Sequence, residues 1–139
     1  MAQQVSEIMT ADPTTVTPRT PIVEVARLMR EEDIGEVLVA EEDHLRGLVT
    51  DRDLVVRAMA DARDINATAA QEVCSSDLVT CAPDDEVGEA VRLMREHALR
   101  RLPVVHQDVL VGVVSIGDIA VGQDRDSALA DISAAEPNR

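Results

Sequence analysis

"PRTPIVEVARLMREEDIGEVLVAEEDHLRGLVTDRDL", residues 18–54, falls without a gap on "PDDEVGEAVRLMREHALRRLPVVHQDVLVGVVSIGDI", residues 83–119, when the chain is shifted by 65 positions. The block "RLMRE" is identical at 27–31 and 92–96, and Asp43, Leu45, Gly47 and Asp53 meet Asp108, Leu110, Gly112 and Asp118. Register held over that length without an insertion reads as a tandem duplication. The copies span residues 5–59 and 70–123, with a small, polar connector at 60–69 and a polar tail at 124–139 that reads as a flexible end.

Each copy predicts the order β-α-β-β-α. A short apolar stretch ("TTV" at 14–16, "LVTC" at 78–81) precedes a proline and a helix. The helix carries Ile22, Val25, Ala26 and Met29 at i, i+3, i+4, i+7, repeated by Val87, Ala90, Val91 and Met94. Pairs Arg27–Glu31 and Arg92–Glu96 lie on its solvated face. Two strands then flank an acidic turn, and a last helix is expected to carry Leu54, Val55, Ala58 and Met59 inward. A unit near 55 residues is marginal alone, so the fold class is α+β, two copies packing their small sheets face to face.

The composition excludes several chemistries. All 13 basic residues are Arg and none is Lys, which removes a Walker A lysine, a Schiff-base lysine and a lysine base. A net charge of −14 without an Arg-rich run repels nucleic acid. Without Phe, Tyr or Trp, a flat ligand must be gripped by aliphatic side chains and backbone. A polar start and the lack of a long apolar run predict a cytoplasmic protein that does not enter the membrane. Cys74 and Cys81 fit neither a CxxC motif nor a zinc framework, and His44, His97 and His106 are scattered, so no metal site is read. No third group orients a Cys/His pair, so no enzyme is expected.

One motif has two readings. Thr50-x-x-Asp53 and Ser115-x-x-Asp118 match the capping box of a helix start, and a hydroxyl with a carboxylate at such a start also suits ribose and phosphate.

The duplication, "RRLPVV" at 100–105, "GLVTDRDL" and "GVVSIGDI" together make the chain resemble the tandem cystathionine-β-synthase (CBS) domain, or Bateman module, across residues 5–123. In length and layout it is similar to stand-alone two-CBS proteins of the hypoxic-response type. The resemblance implies two copies related by a pseudo-twofold axis, with clefts between them for AMP, ADP, ATP or another adenosyl compound and no required cofactor. It places Asp53 and Asp118 on ribose hydroxyls, and Thr50 and Ser115 near the phosphate. For adenine it implies Thr15, Val16, Val37 and Leu38 in one copy, and Thr80, Cys81, Leu102 and Pro103 in the other. The copies differ: Arg52 sits inside the first hook where the second has Gly117, while Gly35-Glu36 stands where the second has Arg100-Arg101. Arg52 and Arg101 are therefore candidate ligand-binding residues, the alternative for each being a surface ion pair with the abundant acids.

The expectation is a regulatory adenine-nucleotide sensor acting on an unknown protein partner. The alternative is a degenerate, ligand-free pair serving as a scaffold. A homodimer is expected, because apolar faces around Leu28, Leu93, Val55, Val56 and Met59 need cover, and the resemblance implies a flat disc of four CBS units.

Overall fold

The structure is a computed structural model and describes residues 3–123. The tail at 124–139 lies outside the described residues. Two compact units emerge: one runs over residues 14–78, and the other joins residues 3–13 with residues 79–123.

In the first unit, β2 (Thr15–Val16), α1 (Ile22–Glu32), β3 (Glu36–Glu41) and β4 (His44–Thr50) are followed by α2 (Asp51–Asp53), a widened helical turn at Leu54–Met59, and α3 (Ala70–Val73). β2 runs parallel to β3, and β3 antiparallel to β4. The second unit has a short helical turn at Val5–Glu7, β1 (Thr10–Ala11), α4 (Val87–His97), β5 (Arg101–His106), β6 (Val109–Ser115) and α5 (Ile116–Gln123). There β1 and β5 both pair antiparallel with β6. Of the expected strand at 78–81, only a bridge from Cys81 to Val104 forms.

The 65-residue shift reappears in the backbone. Asp33 and Ala98 end the two long helices in the left-handed conformation, with φ of 55° and 54°. Each hairpin turns on two residues of positive φ, Glu42-Asp43 and Gln107-Asp108, the pattern of a type I′ turn that matches strand twist. The register slips by one residue between Val39 and Ala40, and again between Val104 and Val105.

Alternation along the strands fills two cores. Val37, Val39 and Val49 meet Val16, Ile22, Val25 and Met29 in the first unit; Leu102, Val104 and Val114 meet Val5, Cys81, Ala90 and Met94 in the second. The helices reach these cores along a narrower stripe than the sequence predicts. Ile22, Val25 and Met29 are buried but Ala26, on the flank, is exposed, and Val91 is only half-buried. Likewise Leu54 and Ala58 face inward, whereas Val55 and Met59, one position on from each, lie beside that row and are exposed. Leu28 and Leu93 are not open faces either, since both pack against their unit's core. Arg92 pairs with both Glu96 and Glu89, while Arg27 and Glu31 form no ion pair among the described residues.

The leading segment of each sequence copy packs on the other copy's strands. Residues 3–13 dock in the second unit: the Val5 and Ser6 N–H groups donate to Asp85 and Pro83 carbonyls, the Val87 N–H donates to the Gln3 carbonyl, and Thr10 pairs with Val113. Residues 70–78 take the matching seat in the first unit, where Leu48 and Ser75 exchange N–H and C=O bonds at 2.9 Å. Gly47 and Gly112 admit this approach. A Cβ on Gly47 would lie 2.7 Å from Cys74 Sγ, and one on Gly112 would lie 2.7 Å from Met9 Sδ. The connector also docks, its Thr68 and Ile65 carbonyls accepting from the Ile22 and Val23 N–H groups at the orphan start of α1.

Candidate functional site

Strand alternation that sends Val37, Val39 and Val49 to the core puts Glu36, Leu38 and Thr50 on the opposite face, with Glu36 opposite Thr50 and Leu38 opposite Leu48. In the second unit the same rule places Arg101, Pro103 and Ser115 together, Arg101 directly opposite Ser115. At the end of that face each chain path turns into its last helix, and the turn carries the hydroxyl–carboxylate motif.

Both boxes are closed. The Thr50 N–H donates to Asp53 Oδ2 at 2.9 Å, and the Asp53 N–H donates to Thr50 Oγ1 at 3.0 Å. The Ser115 N–H donates to Asp118 Oδ2 and the Asp118 N–H to Ser115 Oγ, both at 3.0 Å. Two orphan donors are thus satisfied at each helix start, and one carboxylate oxygen is committed to the cap.

Beyond the cap, the two aspartates differ. Asp53 Oδ1 lies 3.6 Å from Arg57 Nε, and the same guanidinium reaches the Cys74 carbonyl at 3.4 Å. The position matching Arg57 in the second copy is Gly122. Asp118 is instead approached by the Thr10 hydroxyl, which donates to Oδ2 at 3.5 Å. Arg57 was legible from its i+4 spacing to Asp53. Thr10, 108 residues from Asp118, carries no signal in sequence.

The expected adenine-side residues divide by burial. Val16, Val37, Cys81 and Leu102 point their side chains into the cores, so any contact they offer a ligand is main-chain. Leu38 and Pro103 are buried too, although strand alternation sets them on the motif-bearing face, and of the set only Thr15 and Thr80 are exposed. Cys81 uses its own backbone in the sheet: its N–H donates to the Pro103 carbonyl at 3.1 Å and its carbonyl accepts from Val105 at 2.8 Å. Since neighbouring residues of an extended chain point their polar groups oppositely, Thr80 directs its N–H and C=O away from β5. Arg52 is exposed next to the first box, and it makes no ion pair among the described residues.

Burial, reinforced by the carboxylates of Asp85 and Glu89, pushes the Cys81 thiol up to about 12, so it stays protonated and is a poor nucleophile. Burial also raises the Cys74 thiol, with Asp53 adding to the rise and its own backbone contact and Arg57 opposing it. Both cysteines are free. Among the described residues no cluster of three His, Cys, Asp or Glu side chains is arranged to hold a metal, and no helix is long and apolar enough to cross a membrane.

A family model for the CBS domain matches residues 5–59 and 70–122. The CBS domain-containing protein YhcV of Bacillus subtilis is 41% identical over 133 residues, covering 93% of this chain and 94% of its own. Hypoxic response protein 1 of Mycobacterium tuberculosis is 35% identical, covering 82% and 80%. A crystal structure of Hypoxic Response Protein I with two coordinated zinc ions superposes with a TM-score of 0.78 at 34% identity, over 85% of this chain and 97% of that one. Another, of CBSX2 in complex with AMP, reaches 0.75 at 22% identity, over 86% and 94%.

Proposed function

The chain belongs to the CBS-domain family, and we propose that it is a regulatory module whose repeats bind an adenine nucleotide through the faces that carry Asp53 and Asp118. The observation that supports this reading is that the two units repeat the same arrangement around a closed hydroxyl–aspartate box. In each, a hydroxyl–aspartate pair opens a helix, a buried side chain of the neighbouring strand (Leu38 or Pro103) belongs to the same sheet face, and an exposed threonine (Thr15 or Thr80) stands at the sheet edge.

The chemistry is plain. The cap occupies Oδ2, and a carboxylate has about four acceptor sites, so ribose hydroxyls find acceptors without unmaking the cap. Thr80 offers one donor and one acceptor from its backbone, the complement of an adenine edge. Arg52 and Arg101 stand beside the hydroxyls of Thr50 and Ser115, where a phosphate is expected. CBSX2 holds AMP in the same fold, which supports the fold as a container for such ligands. The reading is a regulatory role, and the buried Cys81 thiol, pushed up to about 12, offers no nucleophile at neutral pH. Transmission to a protein partner requires the ligand to bind two states unequally.

We also propose a homodimer through the flank of the last helix of the first repeat, where Val55, Val56 and Met59 are 52%, 45% and 72% exposed. A scaffold without ligand is the competing reading, favoured by caps that are already complete within the chain. Calorimetric titration of protein stripped of copurified nucleotide with AMP, ADP, ATP and S-adenosylmethionine decides between them. Heat with at least one supports the sensor, and none with any supports the scaffold.

A further inference from the structure

The two ribose carboxylates have different neighbours, and one neighbour belongs to a segment from the far end of the sequence. Asp118 Oδ2 accepts from two donors, the Ser115 N–H at 3.0 Å and the Thr10 hydroxyl at 3.5 Å. An oxygen with two lone pairs is then fully used. A ribose that places one hydroxyl on each carboxylate oxygen needs room on Oδ2, so one donor has to leave. The Ser115 N–H is fixed by the cap. The Thr10 hydroxyl is the longer and more exposed contact, so it is the one displaced.

Thr10 sits in the docked segment 3–13, so this exchange reaches a whole element. Two features make that element the one to yield. Its strand is only two residues long, Thr10–Ala11, against seven in β6. Its exit also runs through Asp12, at φ 53° directly before Pro13, where a residue is normally extended. The corresponding pair in the second copy, Asp77-Leu78, has neither the proline nor the positive φ. In the first unit the additional partner of Asp53 is Arg57, on the same helical stretch, and among the described residues no side chain of the docked segment 70–78 bonds the carboxylate itself; that segment meets Arg57 only through the Cys74 carbonyl at 3.4 Å.

We propose that the segment 3–13 is a strap on the second repeat's site, held to Asp118 by Thr10 and loosened when a ribose takes that carboxylate. The inference rests on the nucleotide-binding reading and adds its read-out. Occupancy of the second repeat, and not of the first, is converted into mobility of residues 3–13. Reciprocity follows: whatever pins the strap weakens binding at Asp118 by the same factor.

The test uses the whole chain with AMP and ATP as probes, following hydrogen exchange at the Val5 and Ser6 amides, which the strap's docking protects. Saturating nucleotide should accelerate exchange there severalfold. Thr10→Val keeps the side-chain shape and removes the hydroxyl. It should speed the same amides without ligand and tighten binding at the second site about two- to fivefold, the share of one weak hydrogen bond. Asp53→Ala should leave the strap's response to nucleotide intact, and Asp118→Ala should abolish it. Binding by wild type with unchanged or slowed exchange at Val5 and Ser6, or weaker binding by Thr10→Val, overturns the strap while leaving the nucleotide reading in place. No heat with AMP or ATP, nor with ADP or S-adenosylmethionine, overturns both.

Discussion

Gly112→Ala probes the crossed packing of the leading segments. The new Cβ would sit 2.7 Å from Met9 Sδ, 3.2 Å from Met9 Cγ and 2.8 Å from the Thr10 carbonyl oxygen. Comfortable carbon contacts begin near 3.5 Å, so all three are too close. The Met9 side chain is flexible and can swing away, but the Thr10 carbonyl is fixed by the Thr10–Val113 pairing. Overpacking of this kind costs about 1–3 kcal/mol. Met9→Ala removes two of the three obstacles and leaves the carbonyl, so it should rescue roughly half of that loss. In the first unit Gly47→Ala meets Cys74 Sγ at 2.7 Å, the Ser75 carbonyl oxygen at 3.0 Å and Cys74 Cβ at 3.2 Å, and Cys74→Ala removes only the first. Its rescue should be smaller. The decisive comparison is a pair of double-mutant cycles by urea unfolding, followed by far-ultraviolet circular dichroism because the chain has no aromatic residue. Met9 should couple to Gly112 and not to Gly47, within about 0.5 kcal/mol. Coupling of Met9 to Gly47 would mean that each segment packs on its own copy, and Gly112→Ala costing under about 0.5 kcal/mol would refute the close approach itself.

Other outcomes follow from single residues. Ala98 is an exposed non-glycine helix cap at φ 54°, so Ala98→Gly should raise stability by about 0.5–1 kcal/mol in the same unfolding assay. Asp33→Gly should gain less, because Asp tolerates that conformation. Cys81 is held protonated up to about 12 against an ordinary value of 9.0. The unfolded chain therefore binds fewer protons across that window, and stability should fall as pH rises above 9, by at most about 1.4 kcal/mol per pH unit. With no Lys or Tyr to titrate there, Cys81→Val, which installs the residue found at position 16, should flatten most of the slope in alkaline melts. Sedimentation with interference optics should show a species of twice 15.0 kDa for wild type, and Met59→Glu should shift it to the single chain. A wild-type monomer at micromolar concentration would remove the proposed dimer face.

The duplication made most of the local structure legible. One register of 65 predicts both long helices and both hairpins, down to turns at Glu42-Asp43 and Gln107-Asp108, because identical spacing imposes identical alternation. It also locates Thr50, Asp53, Ser115 and Asp118, whose pairing is local. What it does not reveal is which of two equivalent seats a segment takes. Residues 3–13 and 70–78 each fit either seat by pattern, and only chain path and packing choose the crossed arrangement. Thr10 beside Asp118 is hidden for that reason. The width of the buried stripe is hidden too: Ala26, Val55 and Met59 satisfy an apolar pattern, but each helix meets its core along one row.

The central claim is that Asp53 and Asp118 hold ribose as well as capping a helix, and Asp53→Ala and Asp118→Ala test it when melting and AMP titration are read together. Loss of the cap alone should lower stability by about 0.5–2 kcal/mol in each variant. Loss of charge-assisted bonds to ribose, at about 1.5–3 kcal/mol each, should also weaken the variant's own site at least tenfold. The account predicts both changes together. Variants that melt earlier yet bind AMP as wild type does would contradict it and leave the two aspartates as caps.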